Sequence, residues 1–212
     1  MVSLYIDHYK NTSTLLWSLD TMSSMINRDY ITINNQHVNH IMLSPDSQNC
    51  IFLHRVRTKN ETVHTLFLGN LDSKKIKILV TGLVSHCHWL NNETVIGYLE
   101  YKGCRGYFSI NIKTCVIKKL KHSKIHQLGD GHPTIYKNKM VFDTYPNRKQ
   151  FKSLFLLNMQ SNELSKILEL YEPLKFFGYT RCDLHPRWST DGKFIFIDTS
   201  YTGKRQFCMI EL

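Results

Sequence analysis

The chain is poor in the usual marks of catalysis, export and membrane insertion. It has 212 residues with only five prolines and ten glycines, and no low-complexity tract. No apolar run approaches the ~18 residues of a membrane-spanning helix. The opening MVSLYIDHYKN lacks a basic segment followed by an apolar core, so no signal peptide is expected. None of the cysteines (Cys50, Cys87, Cys104, Cys115, Cys182 and Cys208) falls in a C-x-x-C pair, which excludes a zinc ribbon or thioredoxin motif. Without an export signal, free thiols and a cytoplasmic location are expected. G-x-S-x-G, H-E-x-x-H, P-loop and dinucleotide fingerprints are also missing, so serine-nucleophile catalysis and nucleotide hydrolysis have no support.

What is present is the composition of a packed domain, with 42% apolar and 21% charged residues. The net charge is +10. Such a balance favours solubility or an acidic partner. The basic clusters Lys74-Lys75-Lys77 and Lys118-Lys119-Lys121 fall in or beside alternating segments that read as exposed outer strands. A solvated strand face explains them, and nucleic acid is not an expected partner.

The chain repeats. NHIMLSPDSQNCIFLHR from Asn39, SHCHWLNNETVIGYLE from Ser85, GHPTIYKNKMVFDTYP from Gly131 and LHPRWSTDGKFIFIDTS from Leu184 align, each opening with a histidine. These are His40, His86, His132 and His185, spaced 46, 46 and 53 residues apart. Strand–turn–strand segments lie between them, at Leu66, Tyr107 and Leu154. Four short strands per ~46 residues is the period of a propeller blade. The expected fold is therefore all-β: a single β-propeller domain over 1–212. Its blades are expected at about 1–20 (outer half), 38–80, 84–120, 130–170 and 183–212, the last without a fourth strand. TMSSMI, between the first two, is expected to make a helical turn. Either strand 15–19 completes the last blade in a small four-bladed ring, or the ring is incomplete or part of a larger one. Open blade edges would then favour self-association.

The SPDS and STDG turns, each followed by an apolar strand, resemble the signature of TolB-like propellers. The stretches VSHCHW, DGHPT, FDTYP and RCDLHPRWSTDGKFIFIDTSYTGKRQ are similar to a subgroup related to oligogalacturonate lyases, which accompanies surface-polysaccharide genes. The resemblance covers residues 2–212 and implies six or seven blades. It also implies manganese, held in the lyases by three histidines and a glutamine, the glutamine and two histidines forming Q-x-x-H-x-H. The nearest segment here runs from Cys182 to Arg187. Cysteine stands in the glutamine place and arginine in the second histidine place.

Blade-initial strands line the channel, so equivalent histidines should converge there. His40, His86, His132 and His185 are thus candidate ligands for a divalent transition metal, for which neutral imidazole is suited. The alternative is four structural histidines that hydrogen-bond neighbouring blades. Asp130 and Asp183, each two residues before a ring histidine, would orient an imidazole from behind or cap a turn. Asp143 and Asp198 read as turn caps. Arg181 and Arg187 flank His185 and are candidates for gripping a substrate carboxylate. The leading expectation is recognition of an anionic, uronic-acid-type oligosaccharide, with metal-dependent β-elimination as the enzymatic version and no assignable base. The competing expectation is a non-catalytic platform for an acidic protein partner.

Overall fold

The computed structural model describes residues 3–7, 9–26 and 33–212. The chain is all-β, as the repeat predicts. A hairpin of β1 (Ser3–Asp7) and β2 (Thr12–Trp17) leads into helix α1 (Leu19–Ile26), where the helical turn is expected. Four propeller blades follow. The first holds β3 (Gln36–Leu43), β4 (Asn49–Arg57), β5 (Thr62–Asn70) and β6 (Ile76–Gly82). The second holds β7 (Val84–Asn91), β8 (Thr94–Tyr101), β9 (Cys104–Asn111) and β10 (Ile117–Lys119). The third holds β11 (Thr134–Tyr136), β12 (Lys139–Asp143), β13 (Phe151–Asn158) and β14 (Glu163–Tyr171). The last has three strands, β15 (Arg187–Trp188), β16 (Phe194–Thr199) and β17 (Gln206–Glu211). Each blade is a consecutive meander with its first strand at one edge. Among the described residues β2 pairs with β1, and β17 pairs with β16.

The repeated turns have a common chemistry. Ser44 Oγ donates to Asp46 Oδ1 at 2.6 Å and accepts from the Asn49 amide at 3.0 Å. Ser189 Oγ likewise donates to Asp191 Oδ1 at 2.6 Å and accepts from the Phe194 amide at 3.0 Å. The short polar side chain thus satisfies backbone groups that the tight turn leaves without ladder partners.

The chain divides into two compact units, 1–85 with 112–115, and 86–111 with 116–212. In the first, α1 lays Met22 beside Trp17, over Cys50, Phe52 and Phe67. Trp17 stacks on Phe52 at 5.4 Å and its Nε1 donates to the Lys74 carbonyl at 2.7 Å. It lies so close to Gly69 that a Cβ there would come within 2.2 Å of the indole. In the second unit one core joins Ile96, Tyr107, Met140, Phe142 and Leu157, and another joins Val141, Leu154, Leu184, Ile195 and Ile197. Alternate faces of β12 feed these two cores, with Met140 and Phe142 on one and Val141 on the other. The strand is therefore buried on both sides, and its last residue, Asp143, is carried into the interior. Among the described residues all six cysteines are free, and no helix is long and apolar enough to cross a membrane.

Candidate cation site

The second unit brings three of the aligned histidines together in a row. The His86 and His132 ring centroids are 4.0 Å apart, and those of His132 and His185 are 3.8 Å apart. His86 lies near the start of β7, and His132 and His185 lie just before β11 and β15. His40 belongs to the other unit. It is exposed, at a register shift between β3 and β4, with φ +53°.

Asp143 organises the row. It is 1% exposed. One oxygen accepts the His132 amide at 2.6 Å, and the pair accepts from His132 Nδ1 at 3.0 and 3.1 Å. Oδ2 also accepts the His185 amide at 3.1 Å. A carboxylate only accepts, so in the neutral imidazole His132 Nδ1 carries the proton and Nε2 the lone pair. Burial pushes the Asp143 carboxyl up, but His132 and the two amides outweigh it and hold it below the usual carboxylate range. The grip also stabilises unusual backbone, because His185 has φ +41° just before Pro186. Gly131 is required alongside: a Cβ on it would lie 1.8 Å from the Asp143 carbonyl oxygen. Asp143 was expected only to cap a turn; it is instead the central acceptor. The sequence signal for this was faint, an aspartate closing the strand that follows His132 by 11 residues.

Asp130 backs His86, with 3.3 Å between its Oδ1 and Nδ1. Asp183 is placed differently. Its carboxylate, His132 and His185 each offer a donor atom, and these three atoms lie within 4.8 Å of one another. Arg181 Nε sits 2.8 Å from Asp183 Oδ1 and 2.9 Å from Oδ2, but its N–H is aimed at Oδ2. Oδ1 is therefore buried with no hydrogen-bond partner. Two imidazole nitrogens and one anionic oxygen within this reach are of the kinds that suit a divalent transition metal. Burial, and then the neighbouring His132, push the His185 imidazole below its ordinary value, which keeps it neutral and able to ligate.

The segment from Arg181 to His185 is anchored from beneath by residues that sequence reasoning did not single out. Lys152 and Glu172 are 1% and 2% exposed and pair at 3.1 Å. Lys152 Nζ also donates to the Cys182 carbonyl, and Glu172 accepts the Cys182 amide at 3.1 Å. The ion pair thus holds both backbone groups of Cys182. A lysine within an otherwise alternating apolar strand, FKSLFLLN, was its one visible trace.

Arg181, 45% exposed at its side chain, stacks on Tyr145 at 4.6 Å, and Tyr145 meets His132 edge-on at 5.9 Å. Burial, then the charges of Asp130 and Asp183, push the Tyr145 phenol up to about 12. Arg181 and Tyr145 also line a cleft of about 240 Å³ with Gln150, Glu172, Phe176 and Phe177. Arg187 has other partners, pairing with Asp198 and lying 5.5 Å from the Phe207 ring within the last blade. Trp89 is buried, and Trp188 is half-buried with its Nε1 on the Thr134 carbonyl at 3.3 Å, so both serve packing.

Comparison with known proteins supports the fold. No family model and no curated protein sequence matches the chain. Among solved structures it is similar to TolB from Acinetobacter baumannii, at 10% identity and TM-score 0.60 over 82% of this chain and 41% of that one. It is similar to a TolB-type protein from Agrobacterium tumefaciens, at 12% identity and TM-score 0.59 over 97% of this chain and 64% of that one. An oligogalacturonate lyase in complex with manganese matches at 10% identity and TM-score 0.56, over 99% of this chain and 71% of that one. The architecture is that of the TolB-like and oligogalacturonate-lyase propellers.

Proposed function

We propose that the chain is a TolB-like propeller that holds a divalent cation at its histidine row and recognises an anionic, uronic-acid-type saccharide beside it. The observation that carries this reading is the convergence of donor atoms from His132, His185 and the buried Asp183 carboxylate within 4.8 Å of one another. His132, His185 and Asp183 would hold the ion, with His86 next in the row. Manganese is the first ion to test, because the lyase of the same fold carries it. A bound divalent ion would neutralise a substrate carboxylate and so acidify the adjacent C–H, the demand of β-elimination.

The chain's own groups do the recognition. Arg181 offers a fixed guanidinium fork at the edge of the cleft, matched to a carboxylate. Tyr145, Phe176 and Phe177 give the cleft an apolar lining against which a sugar ring can pack. Asp143 holds the His132 proton on Nδ1 and so fixes the tautomer that ligates. Half-buried Tyr145, held protonated to about pH 12, contributes a hydroxyl rather than a base. The base of a β-elimination is not assigned among the described residues.

The test is metal analysis of the purified protein, followed by titration with Mn²⁺. The reading expects about one ion per chain, lost in His132→Ala with the β-rich circular dichroism retained. Incubation with oligogalacturonate then separates catalysis from binding, because β-elimination leaves an unsaturated, ultraviolet-absorbing product. An ion-free protein whose titration is unaffected by His132→Ala would contradict the cation site.

A further inference from the structure

Asp183 has two claims on one carboxylate. Arg181 Nε lies 2.8 and 2.9 Å from its two oxygens, and the same carboxylate offers a donor atom within 4.8 Å of those of His132 and His185. Arg181 in turn belongs to two places: it pairs with Asp183, and it lines the cleft, stacked on Tyr145. Without a cation the guanidinium is the positive charge closest to Asp183, and an incoming carboxylate would have to compete with Asp183 for it. A divalent ion carries twice that charge and can approach the carboxylate to about 2.0–2.2 Å. It draws the electron density of Asp183 to itself and repels Arg181.

We propose that Asp183 is a switch shared by the cation and Arg181, so that cation binding releases the Arg181 guanidinium to a uronate carboxylate in the cleft and the two ligands bind with positive coupling. This rests on the cation reading above and adds that the two sites are linked through one side chain. The anchor beneath it keeps the exchange local. Both Cys182 backbone groups are held by Lys152 and Glu172, and the His185 amide by Asp143, so the backbone on either side of Asp183 is fixed while its carboxylate and Arg181 change partners. Cation and uronate must then raise each other's affinity by the same factor, as linkage requires.

Isothermal titration tests the link. D-galacturonate is titrated into chelator-treated protein and into protein saturated with Mn²⁺, with neutral D-galactose as control. The expected result is tightening of D-galacturonate by roughly 5- to 150-fold when Mn²⁺ is present, the usual span of coupling between sites, with D-galactose unchanged. Asp183→Asn should bind D-galacturonate more tightly than the native chain in the absence of Mn²⁺ and lose most of the enhancement, because Arg181 is already free. Arg181→Gln, at a half-exposed position that folding tolerates, should lose the enhancement while still binding Mn²⁺. If Mn²⁺ binds and D-galacturonate affinity does not change, the coupling is wrong and the cation site stands. If enhancement survives Arg181→Gln, or Asp183→Asn leaves cation-free affinity at the native level, the sugar carboxylate is meeting the ion directly and the switch is wrong. If Mn²⁺ does not bind the native chain, the cation reading fails and the coupling with it.

Discussion

Each of the two units buries a histidine in a polar network, and the networks differ in one respect. In the first unit His54 is wholly buried, its Nε2 2.7 Å from Gln36 Oε1, and Gln36 also accepts from Ser23 of α1 at 2.9 Å. All three side chains are neutral, and the arrangement ties α1 to the blade. In the second unit His132 is backed by a buried carboxylate, stands between two other imidazoles, and shares a set of donor atoms with Asp183. Burial drives the His54 imidazole down to about 4, with His37 adding to the shift, so His54 stays neutral packing. Asp143 supplies what His54 lacks, a charge that fixes the tautomer and presents a lone pair. On the proposed reading, the group behind a histidine decides whether it serves as structure or as a ligand, which blade position alone does not specify.

The contrast can be broken most forcefully through charge. Lys152→Ala would strand Glu172 and the Cys182 carbonyl in the interior, and it is expected to cost about 3–5 kcal/mol. Gln36→Ala in the neutral network should cost only about 1–2 kcal/mol. Urea denaturation of the two variants measures the difference, and equal losses would mean that charge is not what separates the networks.

Acid should act on the first unit through His54. Its folded pKa lies below its unfolded value, so the unfolded chain takes up the proton first. The stability that neutral His54 provides is complete above about pH 6.5 and is lost as pH falls toward 4, by up to roughly 3 kcal/mol. Thermal melts across this window should show the decline. Gln36→Glu, which gives His54 a carboxylate like that of His132, should flatten it.

A smaller effect is expected from Asp143→Asn, which keeps the side-chain shape but removes the charge behind His132. Cation affinity should fall about 10- to 100-fold, the usual cost of losing a ligand's supporting partner, with the β signal intact. The smallest effect belongs to His40, which is not part of the converging donor set among the described residues. His40→Ala should leave Mn²⁺ affinity within about twofold, since it removes no ligand.

Much of this was legible in the sequence because propeller repeats are periodic. The S-x-D turns and alternating strands defined the blades, and equivalent positions in successive blades predicted that His86, His132 and His185 would meet. The unread parts depend on tertiary approach. Asp143 looks like any strand-ending aspartate until Gly131 lets the backbone close on it. Asp183 looks like support for His185 until its carboxylate proves to share a donor set with His132 and His185. Lys152 lies on β13 and Glu172, 20 residues on, just past the end of β14, and only the pairing of those two strands turns two surface-type residues into a buried anchor. Arg187, two residues after His185 in sequence, pairs instead with Asp198 on the neighbouring strand β16.

The account turns on whether the histidine row holds a cation. Free Mn²⁺ has a strong paramagnetic resonance signal that is broadened on binding, so titrating the chelator-treated protein counts bound ions directly. The predicted result is one saturable site per chain that is lost in His132→Ala and weakened in Asp143→Asn, with His54→Gln binding as the native chain does. Absence of a saturable site, or a site indifferent to His132→Ala, would contradict it.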